Sequence, residues 1–188
     1  ELINQVLDLA KIEAGKVDLM LDDFDVAAMV ADLEITIQPL LARNNNSLEI
    51  ACDEQIGVMF ADETRLRQVL LNLLSNAAKF TEAGQIRLVV ERFEQNSSHW
   101  LRFQVADTGI GMTAVQLARI FEPYEQAENT TGKKYGGTGL GLTISRQICR
   151  MMGGNLTAES VPGEGSTFTV ETPRRMAGHS SSNYPGRS

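Results

Sequence analysis

The residues best equipped for chemistry in this 188-residue chain are two amides, an ammonium, one carboxylate and a crowd of glycines. Asn72, Asn76 and Lys79 stand at i, i+4 and i+7 of LLNLLSNAAKF. On a helix, at ~100° per residue, they fall within ~60° of one another and border an apolar face made by Leu66, Leu70, Leu73 and Ala77. An amide oxygen can ligate a hard cation and an ammonium can meet a phosphate oxygen. The same triplet is also compatible with an ordinary solvated face. Asp107 closes LRFQVAD, where Leu101, Phe103 and Val105 alternate onto one side of a strand and the aspartate keeps their parity. Gly136, Gly137, Gly139 and Gly141 crowd YGGTGLGL immediately before a helical pattern.

Each group implies a kind of ligand. A carboxylate on the core side of a strand is costly unless something satisfies it. In ADTGIGM, Gly109 and Gly111 clear space on either side of Ile110. An acceptor in such a pocket can read the exocyclic amino group of adenine, where guanine would present a carbonyl oxygen. The same aspartate could instead cap its own turn. The glycine loop fails the P-loop pattern, because Leu142 and Thr143 stand where lysine is required, and fails the dinucleotide pattern, because it reads GxGxG after a polar segment. What remains is bare backbone N–H at a helix start, which cradles anions. Read alone, a tight turn or linker accounts for four glycines as well.

The elements that must position these residues are legible as patterns. Asp62 is placed to N-cap a helix running to about 79. Residues 85–93 and 99–106 predict a hairpin across EQNSS, and 113–119 a short helix leading into a polar stretch at 122–138. A helix at 139–152, with Leu140, Ile144 and Ile148 on its apolar face, is closed by Gly153 and Gly154. Strands at 154–160 and 166–172 follow, with the turn VPGEGS between them. Upstream lie a helix over 1–14 whose wide apolar stripe suits a partner helix, an extended stretch at 17–24, a helix at 26–42, and strands at 47–52 and 57–60. After Pro173 almost nothing is apolar, and the tail reads as disordered. The implied class is α+β, a two-layer sandwich with helices on one face of a mixed, mostly antiparallel sheet.

A formal net charge of -7 argues against nucleic-acid or anionic-membrane partners. No apolar run approaches the ~18 residues of a spanning helix, so direct membrane contact is not expected. Cys52 and Cys149 have no CxxC spacing and read as thiols of a reducing compartment, consistent with a cytoplasmic domain. The chain opens inside a helical pattern and reads as part of a longer protein.

Taken together and in order, these pieces resemble the ATP-binding catalytic domain of sensor histidine kinases, within the GHKL superfamily that also holds type II topoisomerases and the ninety-kilodalton chaperones. LLNLLSNAAKFT resembles the N box, DTGIGM the G1 box, FEPYEQ the F box, GGTGLGL the G2 box and GEGSTF the G3 box, while LDLAKIEAGK resembles the end of the dimerisation and phosphotransfer helix. Five boxes at compatible spacing decide between the readings left open above. The resemblance implies ATP and Mg²⁺ as ligands. It makes Asn76 the Mg²⁺ ligand, with Asn72 and Lys79 facing the phosphates as the catalytic pair and Phe80 beside the nucleotide. It makes Asp107 the adenine acceptor, with Gly109, Ile110 and Gly111 around the ring and Thr167 nearby through water.

The resemblance further implies that Gly137, Thr138, Gly139, Leu140 and Gly141 wrap the phosphates. Residues 112–138 become a lid anchored by Phe121 and Pro123, with Tyr124 and Tyr135 over the nucleotide and Lys133 and Lys134 toward phosphate, lacking the bidentate fork of arginine. The implied divisions are 1–15 as the phosphotransfer helix end, 16–24 as a linker strand, 25–173 as the ATP-binding domain and 174–188 as the tail. Hydrolytic members of the superfamily carry a glutamate four residues before the metal asparagine. Here that position is Asn72, so the implied reaction is transfer to a histidine rather than to water. Neither His99 nor His179 is followed by the acidic residue of the acceptor motif, which places the acceptor on an upstream helical hairpin. A response-regulator receiver domain and a homodimeric full-length protein are the further implied partners. A hydrolytic ATPase and a nucleotide-sensing module without transfer activity are the alternative functions.

Overall fold

The computed structural model describes residues 2–53, 55–124 and 138–176. Its elements are α1 (Leu2–Glu13), β1 (Asp22–Asp25), α2 (Val26–Arg43), β2 (Ser47–Cys52), β3 (Val58–Ala61), α3 (Glu63–Phe80), β4 (Gln85–Gln95), β5 (Ser98–Asp107), α4 (Ala114–Arg119), α5 (Gly141–Met151), β6 (Asn155–Val161) and β7 (Gly165–Pro173). Five strands form one sheet in the order β2-β4-β5-β7-β6, and β1 and β3 form a separate antiparallel pair. Only the β2–β4 pairing of the large sheet is parallel. Helices cover one face, with α2 packed on α3 and α3 on α5. The chain is therefore the two-layer α+β sandwich its patterns imply.

Local chemistry explains the element ends. Asp25 caps α2 by accepting from the Ala28 N–H at 2.8 Å, and Asp62 caps α3 by accepting from the Arg65 N–H at 2.9 Å. Asn96 and Ser97 turn the β4–β5 hairpin with φ of 51° and 59°, the paired left-handed conformation of a tight two-residue turn. On β5, Leu101, Phe103 and Val105 are fully buried against Leu66, Leu70, Leu73 and Leu74 of α3 and Ile148 of α5, all in one core cluster. The opposite face of the sheet is polar. There Arg102 lies between Glu91 and Glu171, each at 2.8 Å, and over the Phe93 ring.

Three expectations are adjusted. The extended stretch before α2 forms a strand only over 22–25, and that strand pairs with β3. The helix over 1–14 packs part of its stripe, Leu9 and Ile12, on α5 and the core, while Ile3, Val6 and Leu7 stay exposed. Residues 174–176 are not a loose tail. The Phe60 N–H donates to Arg174 O and the Met176 N–H donates to Phe60 O, because β3 presents a free edge and Met176 has apolar surface to pack. Residues 177–188 of the expected tail lie outside the described residues. No described helix is long and apolar enough to cross a membrane.

Candidate functional site

Helix α3 forms the floor of the site, since two different parts of the fold abut it. At its C-terminal end the strand β5 arrives. Ile110 N–H donates to the Phe80 carbonyl at 3.2 Å, and Gly109 lies so close that a Cβ there would fall 2.4 Å from that same oxygen. Nearer the middle of α3, α5 begins. Asn72 Nδ2 donates to Ser145 Oγ at 3.0 Å, and a Cβ on Gly141 would fall 2.6 Å from Asn72 Oδ1. Nine residue steps along α3 lead from Asn72 to its C-cap Thr81, a span of roughly 13 Å at 1.5 Å per step. Asn76 and Lys79, both half-buried, occupy the stretch between them.

The β5 end is tightly determined. Asp107 Oδ1 accepts from the Gly109 N–H at 2.9 Å, and the Ser166 N–H also donates to the carboxylate. Burial pushes the Asp107 carboxyl above its ordinary range, while those two N–H groups and the neighbouring Thr81 hydroxyl oppose the shift. Around it, Ser166 and Ser160 share a hydroxyl hydrogen bond of 2.9 Å and Ser160 Oγ accepts from the Met112 N–H at 2.8 Å. Gly111 brings its backbone against the Val161 carbonyl, and Ile110, 51% exposed, leaves an apolar side chain uncovered between Gly109 and Gly111. Phe80 sits at the same end with the Lys79 ammonium 4.8 Å from its ring centre.

The α5 end is tied largely through side chains. Leu140 occupies the N-cap position, is fully buried and gives the helix no side-chain cap, so its side chain leaves the first-turn N–H groups of α5 uncapped. Gly139 has φ of 69°, a conformation that disfavours any side chain, and its carbonyl accepts from the Tyr124 N–H at 3.0 Å. That bond brings the two edges of the 125–137 segment to one point. Phe121 anchors the first edge: its carbonyl accepts from Thr143 Oγ1 at 3.0 Å and its ring lies under the Arg146 guanidinium. Pro123 continues that edge, and the Tyr124 side chain is 63% exposed. Thr138 Oγ1 accepts from the Leu140 N–H at 3.4 Å. Lys133, Lys134, Tyr135 and Gly137 lie outside the described residues.

Thr167 stands on a different face from Asp107. Thr167 pairs with Ala106, on the solvent face of the sheet, whereas Asp107 pairs with Ser166. The group that shares the face of Asp107 is therefore Ser166. Sequence reasoning also passed over Ser145 and Thr81. Ser145 is 2% exposed and Thr81 1% exposed, and a polar residue at an inward helix position or directly after a helix is the signal that could have marked them.

Bare amides at a helix start, a half-buried carboxylate and two amides on a shared helix are groups of the kinds that meet phosphates, a purine amino group and a hard cation. Residues 61–176 match the family model described as histidine kinase-, DNA gyrase B-, and HSP90-like ATPase, and the chain belongs to that family. It is 40% identical over 178 residues to the circadian input-output histidine kinase CikA of Synechococcus elongatus, covering 93% of this chain and 23% of that protein. It is 38% identical over 190 residues to the sensor histidine kinase AruS of Pseudomonas aeruginosa, covering 100% of this chain and 19% of that one. Among solved structures, full-length ShkA in complex with AMPPNP superposes with a TM-score of 0.81 at 34% identity, over 94% of this chain and 36% of that one. The chain thus spans about a quarter or less of the two curated relatives.

Proposed function

We propose that this domain binds ATP with Mg²⁺ and presents the γ-phosphate to a histidine on a separate helical hairpin of a sensor histidine kinase. The observation that carries the reading is that the Asp107 turn and the start of α5 both abut α3, ~13 Å apart along its axis. Asp107 accepts from the adenine amino group. Phe80 and Ile110 supply apolar surface for the ring, and the α5 amides from Gly141 onward take phosphate oxygens. Lys79 lies on the path between them.

The donor set fits Mg²⁺. Among the described residues no three His, Cys, Asp or Glu side chains cluster to cage a metal, which suits an ion that keeps most of its waters and binds phosphates through one or two protein oxygens. Asn76 would provide that oxygen. When bound, the ion would neutralise charge on the β- and γ-phosphates.

Asn72 shapes the choice of acceptor. Its amide is engaged by Ser145 and pressed against Gly141, and an amide cannot take a proton from water. The site therefore lacks a base at the position where the hydrolytic relatives carry glutamate. In the proposed reaction a histidine nitrogen attacks the γ-phosphorus, the bond to the ADP oxygen breaks, and the histidine proton passes to solvent. The phosphoryl group would then pass to an aspartate of a response-regulator receiver domain. A dimeric, cytoplasmic arrangement of the whole protein belongs to the same proposal.

The test supplies a histidine-bearing helical hairpin in trans with γ-labelled ATP. Acid-labile, alkali-stable label on the hairpin is the expected result. Binding of ATP without any such label, or release of free phosphate at a rate that outruns labelling, would overturn the transfer reading.

A further inference from the structure

Beside the Asp107 carboxylate lies a buried hydroxyl near enough to favour the ionised form, though not bonded to it in normal geometry. Thr81, the first residue after α3, is 1% exposed and its Oγ1 forms no hydrogen bond of normal geometry among the described residues. A hydroxyl left in that state costs free energy unless it serves something. It is not aimed at random. A Cβ placed on Gly109 would lie 2.8 Å from Thr81 Oγ1 and 2.8 Å from Asp107 Oδ1, so both oxygens face the one spot that glycine keeps open.

The Thr81 backbone is fixed from outside the site. Asn46 Nδ2 donates to the Thr81 carbonyl at 2.8 Å and to the Ala78 carbonyl at 3.0 Å, while Asn46 Oδ1 accepts from the Gly84 N–H at 3.1 Å. Asn44 Nδ2 adds a 2.8 Å bond to the Ala78 carbonyl. The end of α3 is thus clamped by the loop after α2, and the threonine hydroxyl can rotate but not drift.

We propose that Thr81 is a positioning residue for the base pocket, its hydroxyl turning to donate to the Asp107 carboxylate and hold it ionised and aimed when adenine binds. The groups around Asp107 leave this role to Thr81. From β7 comes the Ser166 N–H, and the Ser166 hydroxyl is engaged with Ser160 of β6. From β4 the paired residue is Ile86. From α3 the nearest cation, Lys79, sits over the Phe80 ring. From its own turn comes the Gly109 N–H. No charged side chain contributes to the shift of the carboxyl, and the Thr81 hydroxyl is the one side-chain donor that lowers it.

The inference rests on the ATP-site reading, and the experiment separates the two. ATP affinity of the wild-type domain, Thr81→Val and Thr81→Ser is measured by calorimetry from acid to neutral pH, alongside the melting temperature of each free protein. Thr81→Val keeps the shape and removes the hydroxyl. It is expected to weaken ATP about three- to ten-fold near neutral pH and to move the acid midpoint of binding to higher pH, with no fall in melting temperature. Thr81→Ser should restore wild-type affinity and midpoint to within about two-fold. Valine binding ATP with the wild-type affinity and midpoint, while Asp107→Asn loses affinity, overturns the role of Thr81 and leaves the site intact. A lower melting temperature with an unmoved midpoint marks Thr81 as merely structural and overturns the proposal. Wild-type protein that binds no ATP overturns both readings together.

Discussion

The two ends of the site are built differently. Where β5 meets α3, position is set by backbone packed on backbone: Gly109 against the Phe80 carbonyl, Ile110 bonded to it, Asn46 gripping the last carbonyls of the helix. Where α5 meets α3, the polar ties run through side chains: Asn72 bonds Ser145 and abuts Gly141, while Thr143 and Arg146 hold Phe121. A pocket that reads a rigid base gains from being preformed. In the proposed reading the α5 end takes flexible phosphates and later releases a phosphoryl group, and such an end gains from being easy to move. Substitutions at the base end should therefore act on binding itself, and those at the phosphate end on what the phosphates and cation contribute.

The largest effect is expected at Asp107. Replacing it with asparagine removes a charged acceptor worth about 1.5–3 kcal/mol, so ATP affinity by calorimetry should fall about 10- to 100-fold. Stability should respond in the opposite sense. Burial holds the folded carboxyl above its ordinary range, so the folded protein binds more protons than the unfolded chain between the ordinary and raised values. Stability is then full below that window and is lost as pH rises through it. The asparagine variant removes that slope and should melt no lower than wild type at neutral pH. ATP binding by the wild type should strengthen with rising pH over the same window. Unchanged affinity in Asp107→Asn would remove the adenine role.

At the phosphate end two variants divide the labour. Asn76→Ala should abolish the tightening of ATP by Mg²⁺ while leaving metal-free affinity near wild type; retained metal dependence would place the ligand elsewhere. Gly141→Ala drives a methyl into Asn72 Oδ1 and crowds the first turn of α5. Affinity for ATP should fall about ten-fold, roughly one charge-assisted hydrogen bond, whereas adenosine binding should hardly change. Equal losses for ATP and adenosine would mean the two ends are one rigid unit, and the contrast drawn above would fail.

The contrast also explains what could be read from the sequence. The amide and ammonium stripe of α3 follows from helical period alone, and the inward parity of Asp107 from three alternating apolar residues before it. Both are local patterns. The placement of Thr167 needed the register of β7 against β5, and a shift of one residue moves a side chain to the other face. That register is set by where Gly165 passes the Asp107 carbonyl, a contact between residues 58 apart that no single strand displays. The Asn72–Ser145 bond joins residues 73 apart, and the return of Arg174 to β3 depends on an edge left free by a separate sheet. The inward place of Asp107 was thus legible in the sequence, while the contacts that support it were not.

That support yields the smallest predicted change in binding and the sharpest check on the comparison. Asn46→Ala removes three hydrogen bonds of 2.8–3.1 Å at partly buried backbone groups. The cost in folding free energy should be about 1–3 kcal/mol, visible as a lower urea midpoint with an unchanged slope. Yet Asn44 still holds the Ala78 carbonyl and Ile110 still bonds Phe80, so the folded pocket keeps its shape and ATP affinity should change by no more than about two-fold, well under the tenfold step of about 1.4 kcal/mol. If affinity instead falls as steeply as in Asp107→Asn while the protein remains folded, the base end depends on a single clamp, and its rigidity is no greater than that of the phosphate end.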